Sequence, residues 1–247
     1  MIRYHGGPIT PGSVAARIWE TRHALISFAY PEQLPIAAEV AQSFVLDNGA
    51  FSEWRQTGAP VDSIAFRDWV QEWELHPGYD WCLIPDVIDG DERVNDRLIS
   101  EWPGPTHNSV PVWHLHESID RLRELAATFP RVALGSSGQY ATPMAGKWWQ
   151  RIGEALPAVC DEQGRPKTKL HGLRMMNPGI FSHVPLSSVD SCGVARNIGL
   201  DVKWDTGYLR GLSKHLRAEV IANRYERHAS ASRWSGFSDQ PSLDLLG

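Results

Sequence analysis

Three aspartates, each at the end of a short apolar segment, could together provide nucleophilic and acid–base chemistry. They are Asp47, Asp86 and Asp190. Carboxylates that converge on one site acquire different pKa values, so one can be a nucleophile while another is a general acid. Each could instead cap a following helix, and Asp86, directly after Pro85, is the most typical of a cap. Three such residues in one chain favour a catalytic role, which does not exclude capping.

The histidine pair His114 and His116 is a second candidate set. Residues i and i+2 of a strand share a face, so an H-x-H pair can bind a metal ion. With His5, His171 and Asp190 as possible further ligands, the pair makes a metal-dependent TIM-barrel hydrolase the alternative to a carboxylate mechanism. A barrel that binds bases or nucleic acid without catalysis is a third hypothesis.

These residues lie on apolar segments that alternate with segments of helical periodicity. The predicted strands are 2–5, 25–28, 44–47, 82–86, 110–115, 132–135, 170–175 and 187–190, and the predicted helices are 12–22, 62–75, 90–100, 117–128, 143–156 and 206–226. The alternation indicates parallel βαβ units. Eight units over residues 1–247 predict an α/β fold, a compact single-domain (β/α)8 TIM barrel. Residues 157–168 are expected to form a loop, and about 229–247 a C-terminal tail.

Composition narrows the function classes. The net charge is −5, so binding to nucleic acid would need a local basic patch. Basic residues concentrate in 203–233, which is either a solvated helix face or a phosphate track: Lys203, Arg210, Lys214, His215, Arg217, Arg224, Arg227 and Arg233. Three cysteines without a C-x-x-C pair predict a reducing, cytoplasmic location. No apolar stretch approaches about 18 residues, so no membrane span is expected.

The ordered strand ends resemble the tRNA-guanine transglycosylase superfamily, including short phage and bacterial relatives that place 7-deazaguanines into DNA. The matching segments are Asp47-Asn-Gly-Ala-Phe51-Ser, where the family has D-S-G-G-F-Q, then Asp86, Gly135-Ser136, and Val189-Asp190-Ser-Cys192 with Arg196. They are short motifs spread over roughly residues 25–200. No single motif is specific, but their order on successive strands is moderately so.

The resemblance implies a glycosyltransferase that exchanges guanine in nucleic acid, DNA rather than tRNA, for a free 7-deazaguanine base. It implies these roles: Asp190 attacks C1′, Asp47 is general acid and base, Asp86 binds the Watson–Crick edge of the base, Phe51 and Met175 sandwich it, Gly135 and Ser136 offer it backbone groups, and Arg196 holds a phosphate. Such a displacement passes through an oxocarbenium-like state, which a carboxylate can trap. A paired base would first be flipped out of its helix.

Two departures from the family bear on these expectations. The family's zinc site of three cysteines and a histidine is missing, since Cys192 is the one cysteine after residue 160. We therefore expect no metal and no cofactor. His114-Leu-His116 stands where the family has Gln-Gly-Gly, so these histidines are expected to contact the base, whose identity stays open, as does the oligomeric state.

Overall fold

The computed structural model describes residues 1–58, 60–104, 107–200, 204–205 and 207–236. Its nine strands are β1 (Ile2–Gly6), β2 (His23–Ser27), β3 (Ser43–Asp47), β4 (Tyr79–Leu83), β5 (Ser109–Val110), β6 (Val112–His114), β7 (Arg131–Gly135), β8 (Lys169–Gly172) and β9 (Ser188–Ser191). Its helices are α1 (Gly12–Trp19), α2 (Leu34–Val40), α3 (Ala50–Gln56), α4 (Ser63–Trp73), α5 (Glu92–Glu101), α6 (Ile119–Thr128), α7 (Gly146–Val159), α8 (Pro178–Phe181), α9 (Gly193–Asn197) and α10 (Lys214–Glu226).

All strands run parallel in one sheet of order β5-β4-β3-β2-β1-β9-β8-β7-β6. The two edge strands, β5 and β6, are consecutive pieces of one chain segment separated by Pro111. Proline has no N–H to donate to a ladder, which explains why the predicted fifth strand is split. The sheet is therefore nearly closed and barrel-like. The predicted α/β class is confirmed, and the architecture is compatible with a TIM-like barrel.

The inside of the sheet is filled by a small apolar cluster. Its members are Tyr4, Leu25, Val45, Trp81, Leu83, Val110, Val112 and Ala133. Because side chains alternate along a strand, the residues two positions further on also face inward, at the mouth where the strands end. Five of these are Gly6, Ser27, Asp47, His114 and Gly135. The barrel interior is thus apolar in the middle and polar, with two glycines, at its C-terminal end.

The outer face of the sheet packs against the helices through two larger apolar clusters. Fully buried aromatic side chains dominate this layer, including Trp19, Trp113, Trp148, Phe44 and Phe66. Each such side chain contributes roughly 2–3 kcal/mol through burial. Across the described residues, we find no helix with the length and apolar character that crossing a membrane requires.

Several predicted boundaries were wrong for identifiable reasons. Strand β4 ends at Leu83 rather than at 86, because Pro85 cannot continue the ladder. Strand β8 ends at Gly172 rather than at 175, because Arg174 has a left-handed backbone (φ 57°). Helix α7 continues to Val159, into the predicted loop 157–168.

The last predicted helix was also placed too early, and shorter helices were missed. Helix α10 begins at Lys214, where the Ser213 side chain accepts a hydrogen bond from Leu216 N, whereas position 206 is outside the described residues. The helices α2, α3, α8 and α9 were not predicted. In the predicted tail, Ala231 N donates to Phe181 O, and 237–247 lie outside the described residues.

Candidate active site

Three carboxylates meet at the C-terminal mouth of the sheet. Asp47 is the last residue of β3, Asp190 lies in β9, and Asp86 follows β4 by three residues. Burial, followed by the charges of Asp190 and then Asp86, raises the pKa of Asp47 to about 7. The structure therefore brings the three aspartates together, as the sequence predicted.

The turn after β3 shapes the surroundings of Asp47. Gly49 N donates to Asp47 Oδ2 at 3.2 Å. Gly49 has φ 78°, and a Cβ there would lie 3.0 Å from Ala29 N, so only glycine fits without strain. A carboxyl group with a pKa of about 7 populates both protonation states near neutral pH. Asp47 is therefore suited to both donating and accepting a proton.

Asp190 is buried, at 4% exposure, and held through one of its two oxygens. Its Oδ1 accepts from Arg174 N at 2.8 Å, and His171 Nε2 lies 3.3 Å away without good hydrogen-bond alignment. Burial lowers the pKa of His171, whose Nδ1 is 2.9 Å from Ser188 Oγ, so this ring is neutral. Within the described part of the chain, no donor contacts Asp190 Oδ2. That oxygen is free to attack an electrophile.

Asp86 is held between two neighbours that fix it as an acceptor. Asn48 Nδ2 donates to Asp86 Oδ1 at 2.7 Å, and His114 Nε2 is 2.8 Å from Oδ2. The other ring nitrogen of His114 is buried and has no hydrogen-bond partner among the described residues. An imidazolium would need an acceptor there, so the neutral tautomer with Nε2–H fits best. A Cβ at Gly135 would lie 2.9 Å from His114 Nδ1, so glycine there leaves room for this ring.

Phe51 faces an arginine, while Met175 lies on the other side of the sheet. The Arg174 guanidinium sits 3.9 Å from the centre of the half-buried Phe51 ring. Arg174 Nη2 also donates to Ser136 O at 3.5 Å. Met175 is fully buried in the outer apolar layer. The structure thus brings Phe51 and Ser136 together around Arg174, and does not place Met175 with them.

The remaining predicted residues border the mouth. The His116 ring stacks on His114, with centroids 5.8 Å apart, and its Nδ1 is 2.7 Å from Ser137 Oγ. Arg196 is exposed on α9, and its charge acts on Cys192. Burial and the charges of Asp190 and Asp47 raise the pKa of the Cys192 thiol to about 12, so it is not a thiolate nucleophile near neutral pH.

The ligand set of the metal hypothesis is not assembled. His5 is fully buried and its Nε2 lies 3.2 Å from Glu226 Oε1 on α10, outside the sheet. His114 and His116 are at the mouth, where they contact Asp86 and Ser137 instead. Over the residues for which the structure gives positions, no group of three His, Cys, Asp or Glu side chains is arranged to hold a metal ion.

A buried ionic network that was not predicted from the sequence lies beside the mouth. Glu117, with a fully buried side chain, accepts from His114 N at 2.8 Å and Arg121 Nη1 at 2.6 Å. Its other oxygen accepts from Asn95 Nδ2 at 2.9 Å, and Asn95 also bonds the backbone of Val87. The network therefore joins the end of β6 to the loop that carries Asp86.

Glu117→Ala is expected to lower the free energy of unfolding by about 3–5 kcal/mol, because it removes the buried acceptor of three donors and leaves Arg121 with the more exposed Asp96 as its carboxylate partner. Urea denaturation of the variant and the wild type measures this. Glu124→Ala on α6, the helix that carries Arg121, is the matched control, since Glu124 is exposed, and should change stability by less than about 0.5 kcal/mol. Equal effects of the two changes would show that the network does not stabilise the fold.

Two clefts, of about 860 and 350 Å3, lie at the opposite end of the barrel from the aspartates. The first is lined by Lys169 and Ser187 and the second by Arg3 and His23, all near the N-terminal ends of strands. Neither is lined by any of the three aspartates. We identify the mouth as the candidate site because the three carboxylates meet there and the pKa of one of them, Asp47, is raised. The size of a cleft does not by itself indicate a site.

Comparison with known proteins does not indicate a function, so the interpretation depends on the residues described above. No model of a protein family matches the chain, and no curated protein matches it.

Proposed function

We propose that the protein is a transglycosylase that exchanges guanine in nucleic acid for a free 7-deazaguanine base, on a single-domain (β/α)8 TIM barrel in the cytoplasm. One observation carries the proposal. A buried carboxylate with one free oxygen, Asp190, shares its mouth with Asp47, a second carboxylate whose pKa is about 7. A nucleophile beside a group that both gives and takes a proton is what a two-step displacement at C1′ needs.

The first step releases guanine. Asp190 Oδ2 attacks C1′ of the nucleoside as the bond from C1′ to the base nitrogen breaks, and the protonated Asp47 gives its proton to the departing base. The nucleic acid is then bonded to Asp190 through C1′, and Asp47 is ionised. His171, which is neutral because burial lowers its pKa, places no positive charge beside the attacking carboxylate of Asp190.

The second step reverses the first with a different base. Ionised Asp47 removes the proton from the ring nitrogen of the incoming 7-deazaguanine, and that nitrogen attacks C1′. The bond from Asp190 to C1′ breaks, and the enzyme returns to its starting protonation state. No oxidant, reductant or net proton is consumed, which agrees with the expectation that the reaction needs no cofactor.

The base would be selected by Asp86. Asn48 and His114 each occupy one side of this carboxylate, and its remaining lone pairs accept hydrogen bonds. The Watson–Crick edge of guanine and 7-deazaguanine offers N–H donors, whereas adenine presents a ring nitrogen that would leave Asp86 unpaired. Phe51 supplies a stacking face and Ser136 a carbonyl group. Met175, which is fully buried in the outer apolar layer, is not part of this set.

The nucleic acid would cross the same end of the barrel. His215 Nε2 is 3.4 Å from Ser13 Oγ, so α10 begins beside the start of α1, next to the mouth. In the predicted phosphate track, Arg217 donates to backbone carbonyls and Arg210 pairs with Asp205, whereas Lys203 is outside the described residues. Lys214 and His215 are exposed and lie on this side. We favour DNA over tRNA because the resemblance includes short DNA-modifying relatives.

Incubation with labelled 7-deazaguanine tests the proposal. We expect label to enter guanine-containing DNA, less of it to enter tRNA, and none to enter DNA without guanine. The reaction should persist in EDTA, because no step uses a metal ion. Failure to label any nucleic acid, under conditions in which a known transglycosylase does so, would refute the proposal. EDTA-sensitive hydrolysis would instead favour the metal-dependent alternative.

A further inference from the structure

Arg174 occupies the position at which a base would stack. Its guanidinium lies 3.9 Å from the centre of the Phe51 ring, about the distance at which a base stacks on an aromatic side chain. Its Nη2 also reaches Ser136 O, a carbonyl group proposed to contact the base. A base and this guanidinium cannot occupy the same face of Phe51, so one must displace the other.

The backbone of Arg174 is fixed, whereas its side chain is held by one cation–π contact and one long hydrogen bond. Arg174 N donates to Asp190 Oδ1 at 2.8 Å, and the residue holds a left-handed conformation. The residue is exposed, and an exposed cation–π contact is a weak one. A rotation about the side-chain bonds would uncover Phe51 while leaving the hydrogen bond from Arg174 N to Asp190 Oδ1 in place.

The displaced guanidinium has a natural partner in a nucleic acid. Asp47, Asp86 and Asp190 make the mouth anionic in a chain of net charge −5, which disfavours the approach of a polyanion. Arg196 is exposed close enough for its charge to act on Arg174. Together the two arginines form a cationic rim, suited to phosphates on either side of a flipped nucleotide.

We propose that Arg174 gates the base site: its guanidinium covers Phe51 in the empty enzyme, and binding of the nucleic-acid strand draws it to a phosphate and uncovers the ring. This inference rests on the proposed base exchange and describes how access of the base to its site is regulated. Free base then binds the empty enzyme weakly and the strand-loaded enzyme more strongly. Such coupling between two ligands is reciprocal.

Arg174→Asn tests the gate, because Asn is neutral and tolerates a positive φ. Calorimetry with free 7-deazaguanine and fluorescence anisotropy with a guanine-containing oligonucleotide, over a range of salt, are the two probes. We expect the variant to bind the free base about 2–5-fold more tightly, the worth of the lost cation–π contact. It should bind the oligonucleotide more weakly, with a salt slope smaller by about one.

Arg165→Asn is the matched control, since it removes an exposed charge in the turn before β8, at the opposite end of the barrel from the mouth, and it should alter neither affinity. If Arg174→Asn fails to fold, Arg174→Lys replaces it as the test. Lysine keeps the positive charge but stacks less well on the Phe51 ring, so this variant should bind the free base more tightly while the salt slope of oligonucleotide binding stays unchanged.

Opposite effects on the two ligands are the signature of the gate. Free-base affinity that is unchanged or weaker in the variant would overturn it, as would an unchanged salt slope. Wild-type protein that exchanges bases while Arg174→Asn binds both probes normally would refute the gate alone. Wild-type protein that binds neither probe would refute both the gate and the base exchange.

Discussion

Asp190→Asn is expected to abolish base exchange, lowering its rate by roughly 10^4-fold or more, because an amide cannot form the bond to C1′. Asn keeps the shape of the side chain, and its Oδ1 can still accept from Arg174 N. The fold should therefore survive. Incubation with a labelled guanine-containing oligonucleotide, followed by a denaturing gel, should show a covalent protein–DNA adduct for the wild type and none for the variant.

Asp86→Asn is the matched control, since Asp86 lies in the same mouth but has no bond-forming role. We expect it to raise the KM for the incoming base, because Asn presents a donor where the base needs an acceptor, while the adduct still forms from guanine-containing DNA. An adduct that persists in Asp190→Asn and disappears in Asp86→Asn would assign the nucleophile to Asp86.

The convergence of the three aspartates could be predicted from the sequence because it depends on the topology of the sheet. Parallel strands end on one side of a sheet, so residues that follow successive apolar segments must meet there. Asp47, Asp86 and Asp190 satisfy this rule even though β4 ends three residues before Asp86. The rule tolerates errors of a few residues in strand ends, since a loop residue near the mouth still reaches it.

The direction of individual side chains was less predictable. Strands of a parallel sheet are buried on both faces, so an apolar pattern does not reveal which alternate residues point inward. His5 follows the inward-facing Tyr4 and therefore points out, toward Glu226. The left-handed backbone of Arg174 interrupts the alternation after β8, so Arg174 faces the mouth and Met175 the outer layer.

Long-range partners leave no local sequence signal. Glu117 precedes α6, and by sequence it resembles any acidic residue at the start of a helix. Its partner Asn95 is 22 residues away in the sequence and cannot be predicted locally, whereas Arg121, four residues on, forms an i, i+4 pair that the sequence could have indicated. The split of the fifth strand, in contrast, could have been predicted from Pro111, which cannot donate to a ladder.

Asp47→Asn is expected to slow both half-reactions by about 10^2–10^4-fold, the usual contribution of a general acid or base. In the wild type, release of guanine needs protonated Asp47, so its rate should fall as pH rises above about 7. Capture of the incoming base needs ionised Asp47, so its rate should rise with pH and level off above about 7. Single-turnover measurements of adduct formation and of adduct discharge by added base separate the two profiles, and both should be flat in the variant.

The same pKa makes a prediction about stability that requires no substrate. Folding raises the pKa of the Asp47 carboxyl from 3.8 to about 7. At pH values between these two, the unfolded chain has lost the proton that the folded protein retains. Wild-type stability therefore falls as pH rises through this window. Asp47→Asn removes the effect and should be more stable than the wild type by roughly 2–4 kcal/mol at pH above about 7, with the difference shrinking as pH falls toward 4. Urea denaturation at several pH values measures it. Equal stability at all of them would mean that Asp47 ionises normally, which would remove the basis for its role as an acid.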